Sequence, residues 1–160
     1  MWQDRPAGEV VRTAQAADEL GYGEIWIGEM ATFDAFALGA VVAERTERAA
    51  LTVGPLAVAV RDPVMIAMGA GSLAELTGRT VNVALGSSSP VVVEQWHGRR
   101  QERTARALAE SATAVRTLLA GAIREDDFLI RCRLGPAVNA GRVIRYQSHT
   151  SPVISLAYRG

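Results

Sequence analysis

Three consecutive serines at positions 87–89 are the residues of this chain best suited to bind an anion. They follow a short apolar segment, residues 82–85, and then Gly86. The segment predicts a buried strand, while Ser89 and Pro90 suit the N-cap and the first position of a helix. Hydroxyls and free backbone N–H groups in front of a helix favour phosphate binding. The pattern therefore predicts a phosphate site at the carboxyl end of a parallel strand, where α/β proteins carry out their chemistry. A capped turn without a ligand is the alternative.

A proline interrupts another apolar strand, which we expect over residues 50–60. Gly54-Pro55 lies within it, and proline is rare in a central strand because it cannot donate a hydrogen bond to the neighbouring strand. We therefore expect a bulge at this point. A cis peptide bond before proline costs only about 0.5–1 kcal/mol, which makes a cis bond one way to build the bulge. A trans proline at a simple kink is the alternative.

Alternating strands and helices must position these residues. Besides residues 50–60, the pattern predicts strands at 24–28 and 80–85, and the predicted helices span 6–20, 35–47, 63–77 and a region from 90 to 120 that breaks near Gly98. Strands this apolar are covered on both faces, which is typical of a parallel sheet. The repeat length is that of a βα unit in a TIM barrel or in an open doubly wound sheet. No Gly-x-Gly-x-x-Gly segment follows a strand, which weighs against a doubly wound nucleotide-binding sheet.

The regular alternation stops at about residue 121. Residues 127–134 predict a strand with polar alternation, residues 135–151 a loop-like stretch, and residues 153–157 a last apolar strand. We therefore expect one domain over residues 1–160. Residues 1–121 form its βα units, and residues 122–160 form an irregular hairpin or loop and the last strand.

Composition narrows the class of protein. The chain has 160 residues, is 49% hydrophobic and 21% charged, and carries 17 basic and 17 acidic side chains. A zero net charge without a basic face gives no reason to expect nucleic acid or a membrane as a partner. Cys132 is the only cysteine, so no internal disulfide can form and a cytoplasmic location is expected. His97 and His149 lack ligand spacing, so no metal site is expected.

Four stretches of the sequence resemble the luciferase-like monooxygenase family, and within it the branch that uses coenzyme F-420, a 5-deazaflavin. They are residues 17–29 (ADELGYGEIWIGE), residues 45–56 (RTERAALTVGPL), residues 61–79, which open with Arg-Asp-Pro and close with Leu-Thr-Gly-Arg, and residues 84–98, which contain Ala-Leu-Gly-Ser-Ser-Ser-Pro and Trp-His-Gly. The resemblance extends over about residues 10 to 120 and returns weakly at 128–136 and 152–160.

The resemblance implies an eight-stranded TIM barrel, of which this chain would be a part. A full barrel takes about 250 residues, more than the 160 present. The expected fold is therefore α/β, a partial TIM (β/α)8 barrel of the luciferase-like type with about four parallel strands and their helices, lacking the first and last strands. Such a chain is either a gene fragment or a reduced homologue.

The resemblance also implies a function and a set of site residues. The family is an oxidoreductase family, and in this branch hydride is transferred to or from coenzyme F-420; FMN, used with oxygen by monooxygenases, is the alternative cofactor. The cofactor ring would lie over the bulge and its phosphate tail at the serines, so the implied cofactor-binding residues are Gly54, Pro55, Gly86, Ser87, Ser88 and Ser89. A truncated homologue without activity, which at most binds flavin, is the alternative.

Glu29 is the expected catalytic residue. It ends the strand predicted at 24–28, so its carboxylate would face the barrel mouth, where it would act as acid or base or orient the cofactor. A surface or helix-capping acid is the alternative. Met30 stands where the family often has a histidine. Trp26 and Trp96 are expected to pack in the core.

The expected partners are a small-molecule substrate and a second copy of the chain. Open edges of a partial barrel expose unpaired strand groups, which favour pairing with another sheet edge. A homo-oligomer formed through these edges is therefore a further expectation.

Overall fold

The computed structural model describes residues 5–29 and 33–120 and the backbone of residues 154–156. Its helices are α1 (Ala7–Glu19), α2 (Ala35–Ala43), α3 (Pro63–Thr77) and α4 (Thr104–Leu119). Its strands are β1 (Glu24–Ile27), β2 (Ala50–Ala57), β3 (Val81–Gly86) and β4 (Ile154–Leu156), and a π-helical turn over Val91–Trp96 stands between β3 and α4. Strands and helices alternate from α1 to α4, as the sequence predicts.

Side-chain caps fix the starts of two helices. The Asp34 carboxylate accepts the N–H groups of Phe36 and Ala37 at 3.0 and 2.9 Å, and α2 begins one residue later. Asp62 accepts the N–H of Met65 at 2.9 Å, and a proline occupies the first turn of α3. These are the caps that the sequence predicts, because Asp at the N-cap satisfies amides that have no partner within the helix.

The described strands form one parallel sheet in the order β1-β2-β3-β4. Ile27 pairs with Val53, Val53 with Val83, and Val83 with Ile154. Because all of these pairings are parallel, the carboxyl ends of the strands lie at one edge of the sheet. The expected α/β fold with about four parallel strands is therefore confirmed.

The core lies between the sheet and its helices. Strand side chains such as Leu51, Val83 and Leu85 are fully buried with helix side chains such as Ile66 and Val115. Burial of each such side chain contributes about 1.5–3 kcal/mol. This packing therefore stabilises the sheet from whose carboxyl edge the loops extend.

Two tryptophans expected in the core are exposed. Trp26 keeps 53% of its surface accessible and Trp96 keeps 50%. Ile25 and Ile27 pack against the core, so Trp26 between them must point to the opposite face of the strand. The prediction of a packing role for both tryptophans was wrong, because it considered residue type without the direction of the side chain.

Helix α2 ends at Ala43, four residues before the predicted end at 47. The cause is a long-range contact: the carboxylate of Asp18 in α1 accepts the N–H groups of Glu47, Arg48 and Ala49 at 2.8, 3.0 and 2.7 Å. Because these three N–H groups donate to Asp18, they cannot donate to the carbonyls of the preceding helical turn, and the chain turns towards β2 instead.

The helical region predicted over 90–120 consists of two different elements. The π-helical turn ends at Trp96, and α4 starts only at Thr104. Gly98 has φ +60°, a conformation that glycine adopts without cost, so the predicted break near Gly98 is confirmed.

Several predictions fall on positions outside the described residues. They concern Met30, the strand at 127–134 with Cys132, and the stretch 135–151 with His149. Strand β4 lies within the predicted 153–157. Among the helices of the described part, none combines the length and the apolar character needed to cross a bilayer.

Candidate functional site

A bulge in β2 lies at the predicted Gly54-Pro55 step. Val53 pairs with Val83 and Leu56 with Leu85, so Gly54 and Pro55 stand opposite the single residue Ala84. The peptide bond between them is cis. Pro55 is exposed, whereas the residues on both sides of it are buried. The strand therefore presents the proline ring on its surface at the point where the regular pairing is interrupted.

Gly54 is required at this point for two reasons. Its φ is +124°, a backbone conformation that glycine adopts readily and that residues with a Cβ rarely adopt. In addition, a Cβ placed on Gly54 would clash with the carbonyl oxygen of Ala84. A glycine is thus what allows β3 to approach the bulge.

The serine loop, residues 87–89, follows β3 directly and begins next to the bulge. Gly86 pairs with Ala57, and its carbonyl accepts the N–H of Val58 at 3.0 Å. A Cβ on Gly86 would lie 3.0 Å from the Cβ of Pro55. The structure therefore places the bulge, which lies inside β2, beside the end of β3, where the serine loop begins.

The serine loop has an unusual backbone. Ser88 has φ +62°, which is uncommon for a residue with a side chain. The N–H of Val92 donates to the hydroxyl of Ser89 at 3.4 Å, a long contact for the predicted N-cap. Within the described part of the chain, no acceptor is found for the N–H groups of Ser88 and Ser89. Among the described residues, nothing therefore competes with a ligand for these two amides.

Gln101 supports the serine loop from the far side. Its side-chain amide donates to the carbonyl oxygens of Ser87 and Ser88 at 2.9 and 3.1 Å. Sequence reasoning missed this residue, because a contact between a side chain and backbone carbonyls 13 and 14 residues away leaves no local pattern.

Glu29 is held in a bidentate ion pair at the same edge of the sheet. Nε and Nη2 of Arg61 each donate a hydrogen bond to one of its two carboxylate oxygens, both at 2.6 Å. One of these oxygens also accepts a hydrogen bond from the N–H of Ala35 at 3.0 Å. The side chains of Glu29 and Arg61 are only 15% and 18% exposed. Glu29 thus joins the end of β1 to the start of α2, and both oxygens already have donors. This geometry favours a positioning role; its action as acid or base stays a prediction.

Arg61 connects three segments of the site. Besides Glu29, its guanidinium contacts the carboxylate of Asp34, and it lies 5.4 Å from the ring centre of Phe36. The hydrogen bond with Glu29 is the main reason that the pKa of Arg61 rises above its usual value, against the opposing effect of burial. For Asp34, burial alone would raise the pKa, but the Ala37 amide and Arg61 together bring it below its usual value. Asp34 and Arg61 are therefore both charged at neutral pH.

Arg61 opens one of the four stretches that carry the resemblance, but its role at the site was not predicted. It follows β2, as Glu29 follows β1. Parallel strands end at the same edge, so this placement was the available signal for a contact between the two side chains.

Comparison with known proteins assigns the fold and the family. Over residues 3–158 the chain matches the luciferase-like monooxygenase family. A candidate coenzyme F-420-dependent oxidoreductase of Mycobacterium tuberculosis is 30% identical over 99 residues, which is 62% of this chain and 28% of that protein. The 4-hydroxyprotoasukamycin monooxygenase of Streptomyces nodosus subsp. asukaensis is 28% identical over 167 aligned positions, covering 95% of this chain and 43% of the relative.

Solved structures share the fold. A monooxygenase from Streptomyces bottropensis, RslO1, has a TM-score of 0.71 at 24% identity and covers 96% of this chain and 49% of its own. The coenzyme F-420-dependent tetrahydromethanopterin reductase of Methanopyrus kandleri has a TM-score of 0.66 at 15% identity over 96% of this chain and 44% of that one. The oxygenating constituent of 3,6-diketocamphane monooxygenase from Pseudomonas putida, solved in complex with FMN, has a TM-score of 0.62 at 17% identity. The match covers 74% of this chain and 37% of that one.

The chain spans less than half the length of each of these relatives and structures. The match nevertheless runs through nearly all of its own residues, from 3 to 158. By its sequence, and with a fold to match, this chain belongs to the luciferase-like monooxygenase family.

Proposed function

We propose that this chain binds coenzyme F-420 between the Gly54-Pro55 bulge and the serine loop, and takes part in hydride transfer to or from a small organic molecule. The observation that carries the proposal is the close approach of Gly86, where the serine loop begins, to Pro55: a Cβ added at Gly86 would lie 3.0 Å from the Cβ of Pro55. It supports one continuous binding surface at the carboxyl edge of the sheet. The coenzyme F-420-dependent relative from Mycobacterium tuberculosis supports the choice of cofactor.

The residues present fit a ring with a phosphate-bearing tail. Pro55 offers an exposed apolar surface where the strand bulges, which suits the face of a ring. The amides of Ser88 and Ser89 and the hydroxyls of the serine loop suit a phosphate, because such groups donate to an anion without bringing a charge of their own.

The bound deazaflavin would supply hydride chemistry, and the protein would supply binding and orientation. Glu29 and Arg61 fix the end of β1 against the start of α2 and the end of β2. Glu29 and Arg61 thereby hold the site in shape. An unpaired carboxylate at this position would repel a negatively charged cofactor, so neutralisation by Arg61 also favours binding.

An FMN-dependent monooxygenase is the second candidate. The relative that aligns with 95% of this chain is a monooxygenase, and the Pseudomonas putida structure was solved with FMN. The same two segments would hold the FMN ring and phosphate. The substrate would be a small organic molecule in either case.

A paired titration tests the proposal and separates the candidates. Purified protein is titrated into coenzyme F-420 and, separately, into FMN, and quenching of their fluorescence is followed. We expect saturable quenching of coenzyme F-420, weakened by about thirtyfold in the Ser87→Ala/Ser88→Ala double variant, since each of the two lost hydrogen bonds contributes about 1 kcal/mol. Quenching of FMN alone would favour the second candidate. No binding of either would contradict the proposed function.

A further inference from the structure

Gln101 contacts both the serine loop and the π-helical turn that follows it. Its side chain is half-buried and donates to the carbonyl oxygens of Ser87 and Ser88. Its own backbone N–H donates to the carboxylate of Glu94, in the π-helical turn, at 3.2 Å. One residue therefore joins the loop, the turn that follows it and the chain leading to α4.

The geometry of the peptide group gives these contacts a consequence for the opposite side of the loop. In a trans peptide the C=O and the following N–H point in opposite directions. The Ser87 carbonyl shares its peptide with the Ser88 N–H, and the Ser88 carbonyl shares its peptide with the Ser89 N–H. Because Gln101 holds both carbonyls on its own side, both amides point away from it.

The loop conformation needs this support. Ser88 adopts φ +62°, which residues other than glycine, asparagine and aspartate rarely occupy. Two successive carbonyls on one side, and on the other two amides without an acceptor among the described residues, give the arrangement of an anion-binding nest. Without the side-chain amide of Gln101, the carbonyls of Ser87 and Ser88 would lose the donors that keep the loop in this arrangement.

We propose that Gln101 is a positioning residue, which holds the serine loop so that the amides of Ser88 and Ser89 face the phosphate of the bound cofactor. This role rests on the proposed function. It assigns the phosphate specificity of the site to a side chain that itself touches neither the phosphate nor the ring.

Two substitutions test the role. Gln101→Glu keeps the shape of the side chain but replaces its donors with a carboxylate that repels the two carbonyls, and Gln101→Met removes the donors without adding charge. The matched control is Gln95→Glu, which places the same new charge on an exposed residue of the π-helical turn. Thermal unfolding of each variant establishes that the fold is kept.

The readout is the difference between a phosphorylated ligand and its phosphate-free counterpart. FMN is compared with riboflavin, and coenzyme F-420 with its phosphate-free deazaflavin core, by fluorescence quenching. We expect both Gln101 variants to weaken binding of the phosphorylated ligand about tenfold or more and to change binding of the phosphate-free ligand by less than about twofold. Gln95→Glu should bind both as the wild type does. Equal weakening of both ligands, or no weakening, would overturn the role.

A second measurement keeps this inference separate from the proposed function. Inorganic phosphate is added to ¹⁵N-labelled protein, and the amide resonances of Ser88 and Ser89 are followed. We expect them to shift in the wild type and in Gln95→Glu, and to stay in place in both Gln101 variants. A wild type that binds no flavin or deazaflavin would refute the proposed function, whereas the same shifts in the wild type and in Gln101→Met would refute the role of Gln101.

Discussion

Single residues at the carboxyl edge of the sheet decide the shape of the candidate site. Gly54 lets two strands approach at the bulge, Ser88 turns the serine loop, and Arg61 neutralises Glu29. The sequence could predict the bulge, since a proline within an apolar strand cannot donate to the neighbouring strand and so interrupts the regular pairing. The pairing of Glu29 with Arg61, 32 positions apart, has no local pattern; its only signal in the sequence is that both residues follow strands of the predicted parallel sheet.

Gly54→Ala should destabilise the protein by about 2 kcal/mol or more. The new methyl group would clash with the Ala84 carbonyl, and the residue would keep a φ of +124°, which alone costs of the order of 1–3 kcal/mol. The free energy of unfolding in urea measures the effect. Gly23→Ala is the control, since nothing lies within 4 Å of its Cβ position. A Gly54→Ala variant as stable as this control would contradict the account of the bulge.

Arg61→Met should cost about 2–3 kcal/mol of stability, because it leaves the Glu29 carboxylate without its bidentate partner at 15% exposure. Arg61→Lys should cost about 1 kcal/mol, since an ammonium keeps the charge but loses the two parallel hydrogen bonds. Urea unfolding of both variants checks the order. If lysine and methionine were equally tolerated, the ion pair would have no part in holding β1 and α2 together.

The sequence predicts a helix or strand well where a local pattern specifies it. It predicts the end of an element poorly where a residue distant in sequence determines that end. Asp34 and Asp62 start α2 and α3 as their sequences predict. The end of α2 escaped prediction because Asp18, from α1, takes the amides that follow. The π-helical turn likewise has no sequence pattern that distinguishes it from an α-helix.

Asp18 gives the connection between α1 and β2 a dependence on pH. Hydrogen bonds from the amides of Glu47 and Ala49 lower the pKa of Asp18 below its ordinary value. A carboxylate with a lower pKa in the folded state stabilises the fold above its unfolded-state pKa of about 3.9, and this contribution is lost as the pH falls through the folded-state pKa.

Asp18→Asn should therefore have a lower Tm than the wild type at pH 7, and the difference should shrink as the pH falls below about 4. Thermal unfolding between about pH 2 and pH 7 provides the comparison. Glu19→Gln is the control, because Glu19 is exposed and its carboxylate makes none of the contacts described for Asp18. A constant difference between wild type and Asp18→Asn across this range would rule out the charge as the source of the stability.

At the scale of the whole molecule, the described sheet has an edge strand, β1. In the described sheet, β1 has a strand neighbour on one side only, and Trp26 in β1 is 53% exposed. An edge strand presents unpaired backbone N–H and C=O groups, which favour pairing with a second sheet, and an exposed apolar side chain such as Trp26 does not oppose that pairing as a charged one would. We propose that two copies of this chain associate through this edge.

Trp26→Lys tests the association, because a lysine on an edge strand opposes pairing. Sedimentation velocity over a range of protein concentrations should show a concentration-dependent dimer for the wild type and a monomer for the variant. Tyr22→Lys is a control outside β1, at a residue that is 63% exposed. A wild type that stays monomeric at all concentrations would dismiss the edge as an interface.

The central claim is that one surface, from the bulge to the serine loop, holds a ring and its phosphate. A crystal structure of the protein with coenzyme F-420 or FMN measures this directly. We predict density for the ring against Pro55 and for the phosphate within hydrogen-bond distance of the amides of Ser88 and Ser89. A cofactor whose phosphate lies away from the serine loop, or whose ring does not touch the bulge, would contradict the claim.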